Sequence, residues 1–226
     1  MTWTVRDAKR DRETTDAIER QEDRGAAILA AAYLEDRLTL AIKARLISDT
    51  KVTNSFFSGM GPLATFSAKI NLAYLMGIFN TTNKDFFHTI RNIRNEFAHN
   101  LSPITFETPK IERLCRQLYS VEGIRYLKNL NDETLKDHPD MMRLNAMWLG
   151  PLLALPNTAR NSYMNTIKVI LFVMELATQF AIAGTNTVRV ALSSSLEIRG
   201  KPSLSPPQTE GRTPRKRTRR RRSSPA

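Results

Sequence analysis

Phe86, Ile90, Ile93 and Phe97 recur at intervals of four, three and four residues. That is the spacing of one face of an α-helix, and it does not fit the two-residue alternation of a half-buried strand. The pattern returns elsewhere: Leu34, Leu38, Ile42 and Leu46 repeat every fourth residue, and Leu63, Phe66, Ile70, Ala73 or Tyr74, and Gly77 make a further stripe. No stretch sustains a strand pattern and no internal repeat is evident. Such a chain buries its apolar stripes by packing helix on helix, so the expected fold class is all-α, a helical bundle.

Local signals set the expected boundaries. The chain is read as helical up to about residue 45, with Gly25 marking a bend or a close helix contact. "SDTKVTNSFFSGMG" reads as a loop that turns Phe56 and Phe57 back onto the body. A second helix starts at "GPLATFSAKINLAYLMGIF", with Pro62 near its first turn, where a missing N–H costs nothing. "NTTNKD" is a capped turn with Asn83 as N-cap, and a third helix runs from there to His99. A short fourth helix is expected from about Lys110 to Tyr119. "VEGIRYLKNLNDETLKDHPDMM" reads as polar and irregular, and "RLNAMWLGPLLALPNT" as apolar but broken by Pro151 and Pro156. A long last helix follows from about Asn161 to Ala183. Residues 1–199 thus form a helical domain with a core at 23–118 and a less regular extension at 119–186. Residues 200–226, rich in Ser, Pro and Arg, lack the apolar surface to offset their ordering entropy and are expected to be a disordered basic tail.

Composition removes several function classes. "IKVILFVMELATQFAIA" (Ile167–Ala183) approaches membrane length but carries Lys168, Glu175 and Gln179, so a buried helix and no membrane partner are expected. The single Cys115 excludes an intramolecular disulfide and suits a reducing, cytoplasmic setting, and the charged N-terminal stretch has no signal-peptide core. The net charge of +12 is unevenly spread: from Lys201 onward nine Lys or Arg face only Glu210, a net +8, leaving +4 for the other 200 residues. Arg215, Lys216, Arg217, Arg219, Arg220, Arg221 and Arg222 form the densest run and suit weak, non-specific nucleic-acid binding by counterion release. His88, His99 and His138 have no metal-ligand spacing, and no phosphate-loop or dinucleotide glycine fingerprint occurs, so no metal and no cofactor are expected. Glu35 and Asp36 are adjacent and point about 100° apart, which rules out a paired-carboxylate site. Surface pairing with Arg37 or Lys43, or a buried bond from Glu35 to Lys69, would use them. A helix-turn-helix reader is disfavoured because Phe86 and Phe87 take the groove-facing positions.

The most unusual chemistry lies in "IRNIRNEFAHN" (Ile90–Asn100). With Phe97 at the centre of the apolar edge, Asn92, Asn95, His88 and His99 fall about 160–220° away, flanked by Arg91 and Arg94 at about 120° and 60°. Asn and His are middling helix formers, so propensity did not select them. A surface of Arg91, Asn92, Arg94, Asn95 and His99, supported by Lys69, suits an internal brace, an interface favouring Arg over Lys and Glu, or acid–base chemistry.

Three blocks in order, "DRGAAILAAAYLEDRLTLAI" (Asp23–Ile42), "GPLATFSAKINLAYLMGIF" (Gly61–Phe79) and "IRNIRNEFAH" (Ile90–His99), followed by "IERLC" (Ile111–Cys115), resemble the mannitol operon repressor family over about Asp23 to Leu118. The resemblance implies a compact helical fold and negative regulation of transcription. That family has no recognisable DNA-binding motif, so it also implies action through protein contacts, with a DNA-binding regulator or a second copy of the chain as partner. The arginine-rich tail departs from the family pattern. "RNEFAH" is also similar to the R-x4–6-H signature of the HEPN superfamily, helical and often dimeric proteins that include metal-independent ribonucleases. That likeness implies an alternative in which Arg94 holds a scissile phosphate, His99 moves the proton and Asn95 orients the substrate. On an ideal helix Arg94 and His99 stand roughly 140° apart, so they converge only where the helix ends near His99 or a second subunit completes the site.

Overall fold

The computed structural model describes residues 8–182 apart from 48, 135 and 138. Among the described residues the chain is all-α: α1 (Ala8–Glu19), α2 (Asp23–Lys43), α3 (Thr50–Phe57), α4 (Phe66–Leu75), α5 (Thr81–His99), α6 (Pro109–Cys115), α7 (Val121–Thr134), α8 (Pro139–Leu149) and α9 (Ala159–Ile182), with a 3-10 turn at Pro151–Ala154. The expected basic tail lies outside the described residues.

Helix α2 is the hub. Its buried side chains are mostly small, Ala26, Ala27, Ala30, Ala31 and Ala41, with Leu34, Leu38 and Ile42. A helix lined with Ala can be approached closely on more than one side, and α2 packs against α1, α4, α5 and α9. Leu46, the last residue of the four-residue repeat, lies beyond the helix end and is exposed. The stripe of α5 is buried as its spacing predicts, with Ile90, Ile93 and Phe97 fully out of solvent and Phe86 nearly so. Aromatic pairs continue it: Phe87 stacks on Phe79 at 4.7 Å, and Phe97 meets Phe106, which meets Tyr163 of α9. One hydrophobic cluster runs from Ile18 to Met174, so the expected extension shares the core of residues 23–118.

Five expectations need correction. The second helix begins at Phe66 with Thr65 as its cap, so Pro62 lies in the turn ahead of it and not in its first turn. The N-terminal helical region is two helices, and the break falls at residues 20–22, ahead of Gly25, which sits within α2. The "SDTKVTNSFFSGMG" segment is not a loop throughout: Asp49 caps α3 by accepting the Val52 N–H at 2.9 Å, a local bond that overrides weak propensity. The cap of α5 is Asn80, whose side chain accepts the Asn83 N–H at 3.0 Å, while Asn83 itself is buried within the helix. Finally, residues 121–149 form α7 and α8. Their polar residues suggested irregularity, yet Asn131 and Asn145 are buried. Asn131 donates to Asn145 Oδ1 at 3.2 Å, and Asn145 donates to Asp132 Oδ1 at 2.7 Å, a polar clamp between the two helices.

From Ile167 to Met174 the apolar stretch is core, and Lys168 at its start pairs with Glu19 of α1 at 2.7 Å; the side chains of the rest of the stretch lie outside the described residues. None of the described helices is long and apolar enough to cross a membrane.

Phe97→Ala removes a fully buried ring at the meeting point of α2, α5 and the Phe106 loop. It should cost about 3–5 kcal/mol in denaturant unfolding. Asn92→Ala, on the opposite edge of the same helix, should stay within about 0.5 kcal/mol of the parent.

Candidate functional site

The nitrogen-rich side of α5 lies beside a junction of three helices with a carboxylate at its vertex. Glu35 of α2 accepts the Lys69 Nζ of α4 at 2.7 Å through one oxygen, and its other oxygen stands 3.6 Å from Arg94 Nη2 of α5. The bond to Lys69 is thus the use Glu35 finds. Side-chain exposure rises from 10% for Lys69 through 19% for Glu35 to 31% for Arg94. Lys69 therefore braces the site from beneath, Arg94 sits at its edge, and two cations share one anion.

Farther out, α4 and α5 run antiparallel: Tyr74 meets Thr81 at 3.3 Å and Asn71 meets His88 at 3.3 Å. Arg91 is half-buried and Asn92 exposed, and Arg91 Nη2 donates to Asn92 Oδ1 at 3.2 Å, while the buried Arg91 Nε makes no hydrogen bond. Asn95 is half-buried and His99 exposed. The six expected residues thus divide: Arg91, Asn92, Asn95 and His99 line the outer side of α5, Arg94 joins them to the junction, and Lys69 stands behind.

Burial holds the pKa of His88 below its ordinary value of 6.5, and the positive charges of Arg91 and Lys84 push the same way against Asp85. The imidazole is therefore neutral near neutral pH and bridges α5 to α4 through Asn71. Cys115 is removed from nucleophilic chemistry: burial, seconded by Glu112, pushes its thiol up to about 12.

Two residues the sequence analysis passed over position the strip. Arg24 of α2 reaches the end of α5, donating from Nη1 to the Phe97 carbonyl at 2.8 Å and from Nη2 to the carbonyls of Asn100 and Ser102 at 2.9 and 3.0 Å. Carbonyls at a helix C-terminus lack intrahelical donors, and a guanidinium fork supplies them. The neighbouring Asp23 accepts the Phe106 N–H at 2.9 Å and pairs with Arg160 of α9, which also donates to the carbonyls of Glu19 and Gln21. "DRG" carried the signal, an acid and a base opening a helix, but nothing local says which carbonyls they reach.

His99 is the last helical residue of α5 and Asn100 is already extended. The helix thus ends where a pairing of Arg94 with His99 requires, while Arg94 itself is turned to Glu35. Chemically the face can donate many hydrogen bonds and accept few, which suits carboxylates and backbone carbonyls of a partner. Comparison with known protein families, with curated proteins and with solved structures finds no match for this chain.

Removing Glu35 should cost more than removing either cation. Glu35→Gln leaves the nearly buried Lys69 ammonium unpaired and should lose about 3 kcal/mol in chemical denaturation. Lys69→Met leaves Glu35 with Arg94 and should lose about 1 kcal/mol. Because folding depresses the His88 pKa, the unfolded chain takes up that proton first in acid. Its contribution to stability is present above pH 6.5 and falls away as pH drops through the window below. Melting temperatures between neutral and mildly acidic pH should show that slope in the parent and a flatter one in His88→Gln.

Proposed function

We propose that this protein is a transcriptional regulator of the mannitol operon repressor kind, acting by gripping a protein partner through the outer side of α5. The observation that carries it is the two-sidedness of α5. Its apolar edge is buried to the last ring, while Asn92 and His99 stand in solvent beside half-buried Arg91 and Asn95. Solvent alone does not require Asn, His and Arg where Lys and Glu would hold the helix better.

Two further observations support the proposal. The three blocks that resemble the family coincide with α2, the turn and helix of α4, and the second half of α5, which pack mutually around Glu35. In addition, α5 is poorly placed to read DNA. Phe86 and Phe87 are buried against Tyr119, Phe66 and Phe79, and α4 lies antiparallel along α5 instead of leading through a tight turn into an exposed recognition helix. Contact with nucleic acid falls to the tail, where seven cations in eight positions hold phosphates without reading bases.

The test is genetic, with a biochemical control. A strain carrying Arg91→Ala/Asn92→Ala/Asn95→Ala should reproduce the transcript changes of a gene deletion, while the purified variant keeps the parent's helicity and melting temperature. A triple variant with wild-type transcript levels would overturn the proposal. So would cleavage of single-stranded RNA in EDTA that disappears in His99→Ala, which would install the metal-independent ribonuclease built on Arg94, Asn95 and His99. Separately, binding of duplex DNA by the full chain should weaken with salt at a log–log slope near −6, and ending the chain at residue 199 should abolish it.

A further inference from the structure

The nitrogen-rich side of α5 is longer than the strip from Arg91 to His99. Lys84 and His88 continue it toward the start of the helix, so that Lys84, His88, Arg91, Asn95 and His99 recur at intervals of four, three, four and four. That spacing makes one straight row, about 22 Å long, on the side away from Phe86, Ile90, Ile93 and Phe97. Helix α4 flanks it. The Lys84 ammonium stands 4.6 Å from the centre of the Tyr74 ring, and His88 meets Asn71 at 3.3 Å. Lys84, His88, Arg91 and Asn95 are half-buried, and Arg24 pins the carbonyls on either side of His99. A row held this firmly loses little entropy when a partner covers it.

Arg91, at the middle of the row, has a donor that the chain leaves unmet. Its Nε is buried and makes no hydrogen bond, while Nη2 donates to Asn92 Oδ1 at 3.2 Å. A buried donor without an acceptor is destabilising. Nε and Nη2 form one edge of the guanidinium, and a paired set of acid oxygens satisfies both together. An acid group arriving in place of the Asn92 oxygen completes Arg91 and releases the Asn92 amide for a carbonyl. Among the described residues, the side chains of Asn95 and His99 make no hydrogen bond either.

Charge density separates carboxylate from phosphate. Four cations along this side, Lys69, Lys84, Arg91 and Arg94, face Glu35 and Asp85, a net +2, with His88 neutral and the Glu96–Lys110 pair adding nothing. A nucleic-acid strand carries a charge every ~3.4 Å, about six over the row, and a net +2 leaves most of them unmatched. A polypeptide in which Asp and Glu are spaced by neutral residues carries fewer charges. Between them it offers backbone carbonyls to the amides of Asn71, Asn92 and Asn95. We infer that the partner gripped by α5 lays an acidic segment along this row, with one carboxylate seated on Nε and Nη2 of Arg91. The inference rests on the docking reading of α5 and names the chemistry of what docks there.

A synthetic peptide of alternating Glu and Ser, long enough to span the row, is the probe. It is titrated into the isotope-labelled full chain while the arginine Nε–H and backbone amide signals are followed by NMR. The Arg91 Nε–H signal, identified by its loss in Arg91→Lys, should move downfield and saturate as that proton gains an acceptor. Arg91→Lys keeps the charge but removes the fork, and should weaken the response of the α5 amides by roughly fivefold or more. The tail also attracts the peptide, and its signals should respond equally in both proteins. A response confined to the tail would overturn the inference, as would an α5 response undiminished in Arg91→Lys. Single-stranded RNA that moves the Arg91 signal at lower concentration than the peptide would give this side to nucleic acid instead. If the Arg91→Ala/Asn92→Ala/Asn95→Ala strain alters transcripts while the Arg91 signal ignores the peptide, the acidic segment falls and docking through α5 stands. If transcripts are unchanged while that signal moves and saturates, the acidic segment stands and the regulator reading falls.

Discussion

Two neighbouring residues of opposite charge, Asp23 and Arg24, set the geometry on which everything else depends. They open α2, yet their bonds go elsewhere: Arg24 to the carbonyls that end α5, Asp23 to the Phe106 N–H and to Arg160 of α9. Hydrophobic burial brings these helices together without fixing their rotation or axial position. The guanidinium forks do that, because each demands carbonyl oxygens at set positions. Arg160 repeats the device on the bend between α1 and α2, taking the carbonyls of Glu19 and Gln21. Tyr163, one turn further along α9, adds a bond to the Ala27 carbonyl at 2.8 Å. The N-terminal end of α2 is thus fastened to α5 and α9 by directional bonds, and the alanines behind it allow the close approach.

The Glu35 junction lies further along that fastened helix and inherits its precision. A carboxylate left 19% exposed between two cations is an arrangement with little intrinsic benefit to stability, because each ion gives up hydration to join it. Its effect is positional. Lys69 neutralises Glu35 from below, so Arg94 is attracted without being fully neutralised and stays at the rim. Arg91, with one 3.2 Å bond to the adjacent Asn92, is less committed still. Such a face keeps donors in excess of acceptors, and Arg91 adds to the burial that lowers the proton affinity of His88. Electrostatics of this kind is complementary to acidic or carbonyl-rich groups.

Much of this was legible in the chain, and the remainder was not, for identifiable reasons. The stripe Phe86–Ile90–Ile93–Phe97 gave the helix, its buried edge and the outer position of Asn92 and His99, because helical period is a local property of sequence. The Glu35–Lys69 bond was one of several open pairings; choosing among them needed the crossing of α2 over α4. The clasp of Arg24 on Phe97 spans 73 positions in the chain and leaves no local trace. Helices α7 and α8 were hidden by polar residues, since a buried Asn131–Asn145 pair cannot be told from solvated asparagines until both helices are in place. In α3 the error runs the other way: the cap at Asp49 was present in the sequence but was outweighed by poor helix formers behind it.

That last discrepancy has physical content. Local propensity and global structure agree over most of a foldable chain, and places where they disagree mark sites held by something beyond the local sequence. For α7 and α8 the missing term is inside the molecule, a satisfied polar clamp between two helices. For α3 the chain supplies only Phe57 and a tight turn at Gly61, and it leaves Val52 and Phe56 in water. The apolar surface of α3 and the cation-rich side of α5 therefore have different physical logic: the first is apolar area left in water where local packing is thin, the second a set of donors held in place by the Glu35 junction.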